Sequence, residues 1–256
     1  MSEFIGDQLK NKVCLITGAS RTLGAEIARR MAHSGAHVAV NYHRSQDAAL
    51  ALCRELNELG VKTLPVQANV SRPDDVERLV TQTGEQLGPV DILVNNVGPY
   101  VDTPFLDLTL ADFDRVVAGN MRATFMLSQA IGRRMKERGG GYIINIAATD
   151  MFHRSHSVYG LSKSGVVYLT EALALELAPE VRINAIAPDL IADNEDMSPD
   201  DDFLKQAIAG TPLKKLVTRA EIAEMTCLLC TPAFNSVTGQ TIVMDGGRSI
   251  PRIATE

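Results

Sequence analysis

Short, nearly uninterrupted apolar runs alternate with longer amphipathic stretches from one end of the chain to the other. The runs Val13–Thr17, His37–Asn41, Thr63–Gln67, Asp91–Asn95, Tyr142–Ile146, Arg182–Ala187 and Thr241–Met244 read as strands. Helical periodicity falls between them, at about Gly24–Ser34, Gln46–Leu59, Pro73–Leu87, Leu110–Arg138, Val158–Leu177 and Arg219–Cys230. Strands that are apolar throughout must be covered on both faces, which a parallel sheet achieves with crossing helices. Right-handed crossovers then predict an α/β fold: a Rossmann-type, doubly wound parallel sheet of about seven strands. Its ligand crevice should open at the carboxyl ends of the strands. The Gly139-Gly140-Gly141 run reads as the turn that ends a helix before the fifth strand.

One segment breaks the alternation. Residues 189–202 are acidic and irregular, and they leave the sheet at the ligand edge because they follow a strand. A plain solvated loop would read the same way, but long loops at such edges often serve the site, so a substrate lid is expected within 189–215. No internal repeat or low-complexity linker interrupts the remainder, so a single domain over residues 1–256 is expected, a length that one core can fill.

Composition narrows the function. A net charge of −6 argues against a nucleic-acid partner. No run approaches the ~20 apolar residues of a membrane span, and Met1 to Lys10 lacks the layout of a signal peptide. Four cysteines, Cys14, Cys53, Cys227 and Cys230, make no disulfide framework and point to a reducing cytoplasm. Cys227 and Cys230 form a C-x-x-C with no second pair to complete a zinc site; they are read as buried packing and no metal is expected.

Candidate chemistry lies at the strand ends. After the first strand, Thr17-Gly18-Ala19-Ser20-Arg21-Thr22-Leu23-Gly24 opens a helix. Glycines there let the backbone approach a pyrophosphate, which the helix N-terminus attracts. At the end of the second strand, NAD enzymes place an acid to hold the ribose 2′-hydroxyl. This chain has Tyr42-His43-Arg44-Ser45 instead, where Arg44, Ser45 and His43, with Arg21 from the turn, can hold a 2′-phosphate. NADP(H) is therefore the expected cofactor. Further along come Asn95-Asn96-Val97-Gly98, then Asn120 on a helix, then Tyr159-Gly160-Leu161-Ser162-Lys163. Tyr159 and Lys163, four apart, share a helix face, and the ammonium should lower the phenol pKa so that Tyr159 can pass a proton to a carbonyl oxygen.

The glycine turn, N-N-x-G and Y-x-x-x-K in this order resemble the short-chain dehydrogenase/reductase family over nearly the whole chain, and Asp245-Gly246-Gly247 matches its C-terminal pattern. The resemblance implies Tyr159 as general acid/base and Lys163 as a ribose ligand. It implies that Asn120 holds a water of the proton relay. The expected cofactor set also takes in Asn69, Val70, Pro188, Leu190 and Ile191. Three departures stand out. Thr22 replaces the middle glycine of the turn, Ala148 occupies the place of the carbonyl-orienting serine, and Asp193 ends the motif that usually closes on threonine. Alanine donates no hydrogen bond. Thr149 or Asp150 is expected to substitute, with Ser155 and Ser157 as further candidates.

Within the family two groups compete. The Asn41-to-Ser45 segment, Ala187-Pro188-Asp189-Leu190-Ile191 and Asp245-to-Ser249 look like pteridine and dihydromonapterin reductases, although those carry an aspartate where Ala148 stands. Many relatives of this length reduce 3-oxoacyl thioesters on an acyl carrier protein. Arg133-Arg134-Met135-Lys136-Glu137-Arg138 could receive such a carrier, or could simply complement a helix C-terminus. The acidic segment would repel an acidic carrier, so a small-molecule carbonyl or pterin substrate is preferred. A protein of another class, a sensor or scaffold that binds NADP(H) without turnover, would lose the serine first; retention of Tyr159, Lys163 and Asn120 argues against it. Finally, Val166, Val167, Leu169, Leu173, Leu175 and Leu177 spread round more than one face of their helix, and the family often assembles through this region, so a homotetramer or homodimer is expected.

Overall fold

A computed structural model describes residues 6–150, 156–192 and 202–250. Seven parallel strands form one sheet: β1 (Val13–Ile16), β2 (His37–Tyr42), β3 (Thr63–Gln67), β4 (Ile92–Asn95), β5 (Gly141–Ile146), β6 (Val181–Pro188) and β7 (Thr241–Met244), in the order β3-β2-β1-β4-β5-β6-β7. The helices are α1 (Thr22–His33), α2 (Gln46–Asn57), α3 (Pro73–Gln86), α4 (Leu110–Val117), α5 (Ala123–Arg138), α6 (Val158–Leu177), α7 (Asp202–Gly210) and α8 (Arg219–Leu228). Successive residues of a strand feed opposite layers. Cys14 and Ile16 of β1 join the core built with α1, α2 and α8, whereas Leu15 joins the one built with α3, α5 and α6. Burying both faces of every central strand is what the uninterrupted apolar runs require. The sheet reverses its winding between β1 and β4, so the carboxyl ends of those two strands flank a crevice.

Two stretches differ from the pattern reading. The helix expected over Leu110–Arg138 is divided by a π-helical turn, Ala118–Arg122. Pro99 packs against Gly119, where a Cβ would fall 2.6 Å from its ring, and the Asn120 amide donates to Pro99 O and Val116 O. The loop after β4 thus grips the helix at the turn that carries Asn120. Second, the irregular acidic segment expected up to residue 202 meets a helix there: α7 buries Leu204 and Ala207 against Leu216, Leu190 and Ile208. Residues 193–201 of the expected lid, and Ser155, lie outside the described residues.

Cys227 and Cys230 are buried, the first against the Ser34 hydroxyl (3.2 Å) and the second donating to Thr226 O (3.4 Å). They pack as small hydrophobes. No helix among the described residues is long and apolar enough to cross a membrane.

Candidate active site

The glycine turn is built by its neighbours. Asn41, buried at the end of β2, accepts from Gly18 N–H through its side chain (3.1 Å) and from Ala19 N–H through its carbonyl (2.8 Å). On the other side, the Asn96 amide donates to Thr17 O (3.0 Å), and Thr17 Oγ1 accepts from the Asn96 and Val97 N–H groups. Gly18 takes a positive φ of 61°. A Cβ on Gly24 would stand 2.4 Å from Gly18 O, so α1 can approach the turn this closely only with glycine there. Thr22, at the middle-glycine position, also keeps a left-handed backbone, with φ 49°. The turn therefore holds a β-branched residue in the left-handed region, where it is strained.

Along the β1/β4 crevice run two adjoining cavities that share Asn96 and Gly98. The first, of about 700 Å³, is lined by thirteen of the expected cofactor residues: Gly18, Ser20, Arg21, Thr22, Tyr42, His43, Arg44, Ser45, Asn69, Val70, Asn96, Val97 and Gly98. Its described lining also includes Arg115 and contains no aspartate or glutamate. Ser45 caps no backbone group of α2 with its hydroxyl. Among the described residues Arg21 and Arg44 hold no ion pair. Arg115 was not anticipated; it reaches this cleft from α4, whose relation to β2 no local pattern announces.

The second cavity, of about 630 Å³, brings together Leu23, Thr149, Asp150, Tyr159, Lys163, Pro188, Leu190 and Ile191. Of the expected residues, Gly24 and Asn120 line neither cavity; Gly24 lies beneath the turn and Asn120 beneath Gly98. Ser157 caps α6 by accepting from Gly160 N–H, which sets the start of the helix that carries Tyr159 and Lys163. Its oxygen accepts in that cap, and Ser157 is not among the residues that line the second cavity.

Lys163 is buried and donates to Ile146 O at 2.6 Å. Its Nζ lies 5.5 Å from the Tyr159 ring centroid. The packing at this point is close: a Cβ on Gly98 would meet Asn120 Oδ1 at 2.5 Å and Lys163 Nζ at 2.9 Å. Asn120 Oδ1 is itself buried with no partner among the described residues. Burial lowers the Lys163 pKa to about 8, and the Asp150 carboxylate acts in the opposite direction. The Tyr159 pKa moves opposite to the sequence expectation. Burial first, and Asp150 next, push it above the ordinary phenol value. A phenolate in this apolar wall would lose more hydration than an ammonium at ring distance returns. Tyr159 thus stands as a protonated phenol, an acid in waiting. The Tyr100 ring packs edge-on against it at 5.0 Å.

Ala148 is buried in the same wall. Beside it, Thr149 donates its hydroxyl to Asp189 (3.0 Å), and Arg248 donates to the other oxygen of that carboxylate (2.9 Å). Asp189 thereby ties together the ends of β5, β6 and the turn after β7. Tyr100, Asp189, Phe203 and Arg248 line this cavity without having been assigned to it from sequence. The Ala187-to-Ile191 and Asp245-to-Ser249 patterns gave a hint for Asp189 and Arg248.

The match to known proteins follows these features. Residues 18–249 fit the family profile described as enoyl-(acyl carrier protein) reductase. The chain belongs to the short-chain dehydrogenase/reductase family. It is 35% identical over 240 residues to a 3-oxoacyl-[acyl-carrier-protein] reductase of Staphylococcus epidermidis, covering 93% of this chain and 98% of that protein. A blue fluorescent protein from a metagenomic library, solved with NADPH, superposes with a TM-score of 0.87 at 34% identity, over 94% of this chain and 99% of that one. A 7α-hydroxysteroid dehydrogenase solved with NADH gives 0.87 at 31% identity, over 96% and 98%. This short-chain dehydrogenase/reductase is accordingly an oxidoreductase of carbonyl and hydroxyl groups that uses a nicotinamide cofactor.

The cavities fit that cofactor. The cradle at Gly18 and Gly24 leaves no room for side chains, and it stands at the N-terminus of α1, which attracts a phosphate. The basic stretch Arg133–Arg138 sits at the opposite edge of the sheet. Arg138 donates to Val90 O and Lys136 to Glu176 O, so those two cations complete the bonding of chain ends there and do not flank the cavities.

Proposed function

We propose that this enzyme uses NADPH to reduce a ketone of a small molecule, with Tyr159 as the general acid. The observation that carries the reading is the placement of a half-buried, protonated Tyr159 and a buried Lys163 in the cavity that adjoins the glycine-turn cleft. A bound dihydronicotinamide would supply the hydride. Tyr159 gives its proton to the carbonyl oxygen as negative charge develops there. Lys163, fixed to Ile146 O, holds positive charge behind the phenol and offers its remaining N–H donors to the cofactor ribose. Asn120 Oδ1 holds the water that returns a proton to Lys163. Thr149 has already committed its proton to Asp189, so its hydroxyl steadies the wall, and Asp150 is the side chain that faces the substrate.

The NADPH preference rests on the acid-free lining of the first cleft and the unpaired Arg21 and Arg44 at its rim, with Ser45 and His43 beside them. Arg44→Ala should weaken NADPH binding about tenfold or more and leave NADH binding nearly unchanged, measured by titration. Equal losses for both cofactors would remove Arg44 from the 2′-phosphate.

A second reading, reduction of a 3-oxoacyl thioester, is supported by the Staphylococcus epidermidis relative. Against it stand the Asp150 carboxylate of the cavity wall, which has no ion-pair partner among the described residues, and the remote position of the basic helix end. Purified protein with NADPH, offered small diketones, 3-oxoacyl thioesters and dihydropterins in parallel, decides between them. Fastest turnover is expected for a ketone. A thioester or a dihydropterin reduced faster would replace the proposed substrate class, and tight NADPH binding without any turnover would mark a sensor.

The exposed apolar residues of α6 support a homo-oligomer: Leu161, Tyr168 and Leu175 recur every seventh residue and form one stripe. The four buried free thiols suit a reducing cytoplasm. The described parts of 189–215 wall the second cavity through Leu190, Ile191 and Phe203, in keeping with a lid.

A further inference from the structure

The charged side chains of the second cavity are not equally occupied. Lys163 is bound to Ile146 O. Asp189 and Arg248 neutralise each other, and Asp189 also receives the Thr149 hydroxyl. Asp150 differs: among the described residues its carboxylate has no hydrogen-bond or ion-pair partner, although it is only partly exposed and lines the cavity beside Tyr159. Of the residues before it in the wall, Ala147 and Ala148 have no polar side-chain atoms to offer it, and the Thr149 hydroxyl is given to Asp189.

An ionised carboxylate is an acceptor only. A carboxylate that receives no donor from the described protein favours the molecule that brings one. We propose that Asp150 is a specificity-determining residue that takes a substrate carrying a hydrogen-bond donor next to the reduced carbon: an amine, an amidine N–H or a hydroxyl. The same charge turns away substrates with a carboxylate at that point. Its field reaches the reacting groups as well, since Tyr159, Tyr100 and Lys163 all feel it. A donor-bearing substrate that pairs with Asp150 would weaken the carboxylate's hold on the Tyr159 proton at the moment that proton is needed. This inference rests on the proposed reduction for the identity of the cavity as the substrate site.

The test uses binding, so that it does not depend on turnover. The full-length protein saturated with NADPH is titrated with three secondary aryl alcohols of matched size, bearing an aminomethyl, a methyl or a carboxylate group beside the carbinol. Alcohols cannot be reduced further, so each gives a plain dissociation constant. The wild-type protein should bind the amine at least about tenfold more tightly than the carboxylate, as a charge-assisted hydrogen bond allows. Asp150→Asn should compress that ratio to about threefold or less while the methyl alcohol changes little. A ratio that survives the substitution, or a wild-type preference for the carboxylate, overturns the assignment. Binding of none of the three, with NADPH bound normally, overturns it too, because the cavity then does not take the substrate. If the ranking holds and the matching ketones are not reduced, it is the proposed reaction that fails and not the selectivity.

Discussion

Tyr159 and Lys163 carry opposite consequences of the same burial. Desolvation disfavours the charged form of each, so the phenol keeps its proton and the ammonium gives its own up more readily. With Lys163 near 8 and Tyr159 above 10, the reductive kcat/KM should fall through one ionisation near pH 8 as the pH rises. Lys163→Arg, which stays charged, should remove that limb from the pH profile. Stability follows the same group. The folded pKa lies below the unfolded 10.5, so between about 8 and 10.5 the unfolded chain binds more protons than the folded one. Wild-type unfolding free energy, measured against Lys163→Met, should therefore rise with pH across that window. A flat difference would mean that Lys163 is hydrated. This balance could not be read from the Y-x-x-x-K spacing, which shows the pair as neighbours but not the apolar wall around them.

At the scale of elements, the turn into α1 shows how a motif can change and keep its shape. Thr22 adopts φ 49°, a conformation that costs an L side chain about 1–2 kcal/mol, more so when β-branched. Thr22→Gly should raise the unfolding free energy by about 1 kcal/mol after the entropy of the freer glycine is subtracted, read by denaturant titration. A loss of similar size would show that the Thr22 side chain packs favourably. Most elements were legible because parallel strands are apolar on both faces and the amphipathic helices between them carry the 3.6-residue period. The π-turn at Asn120 was not, since Gly119 there packs against Pro99, twenty residues away in the chain. Nor was α7, whose few apolar residues find their partners in Leu190 and Leu216. The positions of Tyr100 and Phe203 at the cavity were hidden for the same reason: tertiary contacts placed them.

For the whole molecule, the sheet's winding sets where chemistry can occur. Residues from β1, β2, β4, β5, β6 and the turn after β7 converge at one edge, while the basic end of α5 closes the other. The stripe Leu161, Tyr168 and Leu175 belongs to this scale as well. Tyr168→Glu with Leu175→Glu should shift the solution mass from an oligomer to the protomer with helical content retained, by light scattering and circular dichroism; an unchanged mass would place the contact elsewhere. Delivery of the proton by a neutral, half-buried Tyr159 in an NADPH-dependent reduction can be tested more directly. Single-turnover loss of NADPH absorbance should be followed for wild type and Tyr159→Phe with the best ketone of the panel. The rate should be about a thousandfold lower in the variant, with NADPH affinity unchanged; a rate within a few fold of wild type would show that another group delivers the proton.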